Sequence, residues 1–125
     1  MRQLISSDSP WEDFVGYSRA VRVGNVVEVA GTTAQDGSSI TGGDVYSQTK
    51  RILEKIKDAL AEAGATMEQV VRTRIYITDI RRWEDVGRAH GEVFQTIRPA
   101  STMVEVSALI DPRLQVEIEA TAIIS

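Results

Sequence analysis

The chain has 125 residues, 42% of them hydrophobic and 26% charged, with a formal net charge of −4 at pH 7. That is the size of one domain, with enough apolar material for a core that needs no staple. The absence of cysteine removes disulfides, zinc–thiolate and iron–sulfur centres and thiol nucleophiles, and an acidic balance disfavours nucleic acid, whose phosphates draw basic patches.

The basic stretches Arg72/Arg74 and Arg81–Arg82 are short. No apolar run approaches the ~18 residues that span a bilayer. Met1–Ser6 lacks the apolar core of a signal peptide, so a single cytoplasmic domain over 1–125, away from membranes, is expected.

Residues 1–16 read as irregular, with Ser6, Ser7, Asp8, Ser9, Pro10 and Gly16 as turn formers. Ser18–Val23 and Val26–Gly31 flank Gly24-Asn25, a two-residue hairpin signal. Residues 32–43 carry Gly37, Ser38, Ser39, Gly42 and Gly43 and read as a loop. Asp44 sits at an N-cap position before a helix whose stripe is Val45, Thr49, Ile52, Leu53, Ile56, Leu60 and Ala63, with Gly64 as its stop.

Thr66 and Gln69 have capping-box spacing for a single helical turn. In the strand Val71–Thr78, Val71, Thr73, Ile75 and Ile77 face one way and Arg72, Arg74, Tyr76 and Thr78 the other. A second helix, about 82–97, has the stripe Trp83, Val86, His90, Phe94 and Ile97 and ends before Pro99. Ala100–Val106 and Val116–Ile124 are the last strands. The order ββαβαββ predicts an α+β fold, a mixed sheet with both helices on one face. Its other face carries Arg72, Arg74, Tyr76, Glu117, Glu119, Thr121 and Ile123. Opposite charges pair there if the two strands are neighbours, and association between subunits would cover such a surface.

The single histidine, His90, lies on an apolar stripe, which reads first as a core-edge histidine and second as a general base. One His with no Cys does not make a metal site. Glu117 and Glu119 share a strand face, either as an ion-paired surface or as a carboxylate working at a cleft. Glu105 could join them, and crowded carboxylates raise one another's pKa. Gly31-Thr32-Thr33 and Ser101-Thr102 are either ordinary turns and strand hydroxyls or oxygen-holding groups.

Three sets of residues carry a family resemblance. The first is Gly16-Tyr17-Ser18-Arg19-Ala20-Val21 with Val29-Ala30-Gly31 and Gln48-Thr49. The second is Ala63-Gly64, Val70-Val71-Arg72-Thr73 and Asp79. The third is Pro99-Ala100, Val104-Glu105-Val106 and Val116-Glu117-Ile118-Glu119-Ala120. Together they resemble the Rid family, also called YjgF or L-PSP proteins, over 14–124.

The resemblance implies a chorismate-mutase-like fold, a relative of the ferredoxin-like fold, in a homotrimer whose sheets line a central barrel with three ligand clefts between subunits. It implies hydrolysis of reactive enamines and imines to ketoacids and ammonia, without metal or cofactor. Carried over residue by residue, Tyr17 walls the pocket, Gly31 offers its amide and Glu119 positions or activates the attacking water. Thr32 and Thr102 are candidate substrate hydroxyls. The family's Pro-Ala-Arg-Ser motif reads Pro99-Ala100-Ser101-Thr102 here, so Ser101 stands where an arginine grips the substrate carboxylate. That forgoes a charge-assisted contact of ~1.5–3 kcal/mol, roughly ten- to a hundredfold in binding. Arg98, three positions earlier, is a candidate replacement, and His90 stands where the family has a tyrosine.

Three functions are expected from this reading: a hydrolytic deaminase of altered specificity, a non-catalytic trimer binding small carboxylates or carbonyl compounds, and an endoribonuclease.

Overall fold

Alternating apolar residues along three long strands create a surface that a helix must cover, and two amphipathic helices cover it. The computed structural model describes residues 1–125. Its elements are β1 (Arg2–Ile5), α1 (Pro10–Val15), β2 (Ala20–Val23), β3 (Val26–Thr32), β4 (Gln35–Asp36), β5 (Ser39–Ile40), α2 (Val45–Glu62), β6 (Val70–Ile77), α3 (Trp83–Phe94), β7 (Ala100–Glu105) and β8 (Val116–Ile123). Single 3-10 turns over Met67–Gln69 and Ile80–Arg82 precede β6 and α3. The six-stranded sheet runs β1-β2-β3-β8-β6-β7. Only β6 and β7 pair in parallel, so the sheet is mixed, and β1 and β7 are its edges. The fold is the α+β arrangement that the residue pattern predicts. No helix is long and apolar enough to cross a membrane.

The core lies between sheet and helices. Ile52, Leu53, Ile56 and Leu60 of α2 and Val86 and Phe94 of α3 pack in one cluster with Val27, Val29, Ile75, Ile77, Ile118 and Ala120. Asp44 caps α2, its carboxylate accepting from Ser47 N at 2.7 Å. At the other end the Ala65 amide donates to Leu60 O and the Gly64 amide to Ala61 O, with Gly64 at φ +85°. This is a Schellman closure, which needs a left-handed residue at that point. Arg22 reaches across from β2 to donate to Ala63 O at 2.8 Å, and a Cβ on Gly64 would stand 2.7 Å from its Nη1. Gly64→Ala is therefore expected to cost about 1–2 kcal/mol, read as a lower urea midpoint at unchanged slope.

The structure corrects the sequence reading in four places. Residues 1–16 are ordered: β1 pairs antiparallel with β2, and α1 begins at Pro10 with Ser9 as its N-cap. The loop after β3 folds into the small β4–β5 ribbon. Val71 does not face the core but is 42% exposed, and Val70 is buried in its place. Trp83, expected on the buried stripe of α3, is 55% exposed and lies along the helix over Gly87.

Val71 has a definite cause. Both neighbours of β8 slip against it by one residue, β3 between Val29 and Thr32 and β6 between Val70 and Arg72. A bulge reverses the facing of every later side chain. Along β3 the buried positions run Val27, Val29 and then Thr32, followed by Ala34; along β6 they run Val70 and then Thr73, Ile75, Ile77. The odd–even rule changes sign at each bulge.

Candidate functional site

The open face of the sheet is where the two glutamates of β8 emerge, and the β3 bulge separates their fates. The bulge residues Ala30 and Gly31 lie opposite Glu119 in the ladder, and the Glu117 side chain reaches diagonally to pack onto Gly31. A Cβ built on Gly31 would overlap Glu117 Oε2 and stand 3.0 Å from Cδ. Only glycine leaves this room. The Glu117 side chain is half-buried and accepts no hydrogen bond from within the chain. Burial raises its pKa, opposed by the positive charge of Arg19 and reinforced by Glu119.

Arg19, just before β2, organises the surroundings. Its guanidinium donates to Gly31 O at 2.6 Å and to Thr32 Oγ1 at 3.0 Å, and to the Tyr17 hydroxyl at 3.3 Å. Its charge also lies 5.7 Å from the Tyr17 ring centroid, near enough for a cation–π attraction. Tyr17, Gly31 and Glu117 thus meet around one arginine. Tyr17 also lines a concavity of about 550 Å³, with Val21, Ala30, Arg74 and Glu119 among its other walls.

Glu119 occupies this wall in another state. It accepts from the Tyr76 hydroxyl at 3.1 Å and lies 3.9 Å from Arg74 Nη1. The opposite charges of β6 and β8 do pair across the strands, as their alternation predicts. Tyr76 is held above its ordinary pKa by burial and by the Glu119 charge. Glu119 borders the concavity as a partnered anion, whereas Glu117 is the carboxylate against Gly31.

Other sequence candidates land differently. Thr32 is buried, and its hydroxyl is committed twice, donating to Ala30 O at 2.8 Å and accepting from Arg19. Buried, and with its one proton committed, it offers a substrate no donor. The Gly31 carbonyl accepts from Arg19 at 2.6 Å. Arg98 sits at φ +56° after α3, its amide donating to Phe94 O and its Nε to Gln95 O at 3.1 Å. That makes it a C-terminal cap, the cation placed where helix carbonyls gather, and not a substrate clamp. Glu105 accepts from Ile80 N at 3.0 Å.

Ser101, Thr102 and His90 stand apart from Glu117 within one chain. Thr102 accepts from Arg72 at 2.9 Å on the open face of edge strand β7. Ser101 points to the helix side, where Thr73 Oγ1 donates to its Oγ at 2.8 Å, and His90 Nε2 lies 2.9 Å from the same Thr73 oxygen. His90 stacks on Phe94 at 4.6 Å, and burial lowers its pKa. It is the core-edge histidine of the first reading. No group of three or more His, Asp or Glu side chains is placed to hold a metal ion.

Sequence reasoning gave Arg19 no role in the site; spacing left Glu117 and Glu119 on one face, and the family resemblance chose Glu119. The available signal was Gly31 in a strand, which marks a bulge or a close approach.

Known proteins agree on where this chain belongs. The family described as Endoribonuclease L-PSP matches residues 9–124. A crystal structure from Mycobacterium tuberculosis, described as a member of the YjgF/YER057c/UK114 family, is 53% identical, covers 99% of this chain and 100% of its own, and superposes with a TM-score of 0.93. A RutC family protein of Pyrococcus abyssi is 40% identical over 123 residues, 97% of this chain and 96% of the relative. An uncharacterized protein of Streptomyces coelicolor is 44% identical over 119 residues, 94% of this chain and 89% of the relative. With its sheet, its bulged third strand and these matches along nearly its whole length, the chain belongs to the Rid family of YjgF and L-PSP proteins.

Proposed function

We propose that the protein hydrolyses a small enamine or imine to a carbonyl compound and ammonia, with Glu117 moving the protons. The observation that carries this reading is the Glu117 carboxylate itself, half-buried against Gly31 with no donor of its own. The Glu117 oxygens keep contact with solvent, where a ligand or a water can meet them, and a carboxyl shifted by burial is suited to proton transfer. Burial raises its pKa above the ordinary glutamate range, the direction that general acid work requires.

The chemistry balances without an oxidant. Protonated Glu117 gives its proton to the enamine carbon, leaving an iminium ion. The carboxylate then takes a proton from water as the water oxygen bonds to the iminium carbon. Glu117 passes that proton to the carbinolamine nitrogen and takes up the hydroxyl proton as the C–N bond breaks, which releases ammonia, leaves a C=O group and restores protonated Glu117. Tyr17 walls the site, and Glu119 contributes negative charge that keeps the Glu117 proton in place.

Ser101 and Glu117 lie on opposite faces of one sheet, so a cleft using both takes them from two copies of the chain. A homotrimer with clefts between subunits supplies that arrangement. The third expectation, ribonuclease, fits poorly with an acidic chain whose open face pairs Arg74 with Glu119 instead of gathering a basic patch for phosphates.

Ammonia release from enzymatically generated enamines and imines tests the proposal. Release no faster than the uncatalysed rate across a panel of charged and neutral substrates, with ligands still binding saturably, would leave the non-catalytic binding trimer instead. Ser101→Arg is expected to raise kcat/KM for iminocarboxylates by roughly ten- to a hundredfold through a restored charge-assisted clamp. No gain would mean that position 101 does not face the substrate.

A further inference from the structure

One guanidinium holds the β3 bulge from outside the strand. Arg19 is tied through its own backbone, its amide donating to Ile5 O at 2.8 Å and its carbonyl accepting from the Ala30 amide at 2.9 Å. Its Nη1 donates to Gly31 O at 2.6 Å, to Thr32 Oγ1 at 3.0 Å and, more weakly, to Ala30 O at 3.4 Å. Successive carbonyls of a regular strand point to opposite edges. Ala30 O and Gly31 O reach one nitrogen because the strand is bulged between Val29 and Thr32. The remaining bond, from Nη2 to the Tyr17 hydroxyl at 3.3 Å, has a settled direction, since a guanidinium accepts nothing. All of these acceptors are neutral oxygens, so no bonded carboxylate cancels the charge.

We propose that Arg19 is the positioning residue of Glu117: it pins the bulge so that Gly31 stays against the carboxylate, it orients Tyr17, and it supplies the acid's counter-charge. It makes no bond to Glu117 and acts through the backbone that it holds and through its field. Glu117 is faced by Arg19 from before β2, by Glu119 two residues along β8, and by Tyr76, its partner on β6. Glu119 is itself engaged by Tyr76 and Arg74. Burial and Glu119 favour the protonated acid, and Arg19 opposes them. Lysine would keep the charge but not the planar fork that serves Gly31, Thr32 and Tyr17 together. The guanidinium is thus needed for its shape and for its charge, and the kinetic consequence rests on the hydrolase reading.

Arg19→Gln and Arg19→Lys, made in the full chain, separate the two needs. Glutamine keeps a donor and loses the charge; lysine keeps the charge and loses the fork. Both should lower kcat for enamine hydrolysis by roughly ten- to a hundredfold, the cost of a displaced catalytic group. KM should change little, because Arg19 spends its donors on the protein. Only Arg19→Gln should move the pH dependence. Without the opposing cation Glu117 stays protonated to higher pH, so the alkaline limb moves up, whereas Arg19→Lys should leave it in place. The same contrast should appear in a carbon NMR titration of the Glu117 carboxyl, assigned with Glu117→Gln. A merely structural Arg19 would lower Tm in both variants and leave kcat and the titration where they are, which overturns the proposal. A midpoint that stays or falls in Arg19→Gln would overturn it too. Should Arg19→Gln not fold, Arg19→Lys decides alone: a lowered kcat with an unmoved limb supports the proposal, and an unchanged kcat overturns it. Wild type without turnover would end the hydrolase reading, and the carboxyl titration would still decide for or against Arg19.

Discussion

Glu117→Gln is expected to lower kcat/KM for imine hydrolysis by about 10²–10⁴, the usual worth of a positioned general acid–base group, while leaving the protein at least as stable at pH 7. The two effects have one origin. The carboxylate is held in a half-buried place that favours its neutral form. A carboxyl whose folded pKa lies above its unfolded value contributes stability that is fully present below the unfolded pKa and is lost as pH rises through the folded one. At pH 7 the ionised group is a liability, and glutamine removes it. Thermal melts should show Glu117→Gln at or above wild type at pH 7, with its relative advantage shrinking toward pH 4. Turnover of enamines, which begins from protonated Glu117, should fall on the alkaline side around a pKa above the ordinary glutamate range. A variant that keeps turnover within tenfold, or one that melts lower at pH 7, would count against this account.

One residue along, the sign reverses. Ile118 is fully buried on the helix side of β8, the strand that joins the two halves of the sheet. Ile118→Ala removes buried methyl groups and leaves a cavity between Ile75 and α2, costing about 2–5 kcal/mol. Against a total of roughly 5–15 kcal/mol for a typical domain, that is severe. It corresponds to a loss of very roughly 6–20 °C in Tm for a chain of this size. Melts at one fixed protein concentration are required, because subunit association would couple stability to concentration. A cost under about 1 kcal/mol would mean that the neighbouring helices collapse into the gap. The contrast between adjacent residues is the direct expression of the two-residue period of a strand.

Much of the fold was legible because its signals are local. The 3.6-residue stripe of α2, its Asp44 cap and its Gly64 stop each point to the same helix, and Gly24-Asn25 marks the β2–β3 turn. Thr66 and Gln69 do form both halves of a capping box. What escaped was decided by partners distant in sequence. β1 is four residues with no strong alternation, and it exists because Leu4 and Ile5 find Val21 and Ala20. Ser9-Pro10 reads equally as a turn and as an N-cap with proline in the first helical turn; Glu12, buried and accepting from the Ser7 amide at 3.1 Å, settles it as a helix. The choice between Glu117 and Glu119 depends on which of them meets Gly31, and therefore on the pairing of β3 with β8. Spacing cannot report that.

The slip of β3 past β8 makes the length of one strand a chemical parameter. Removing Ala30 would let the ladder run straight with Thr32 and Ala34 still in the core, and would take Gly31 out of the bulge that sets it against the acid. A deletion of one small apolar residue, silent in hydrophobicity and charge, would thus disarm the site more thoroughly than many replacements of the groups that line it.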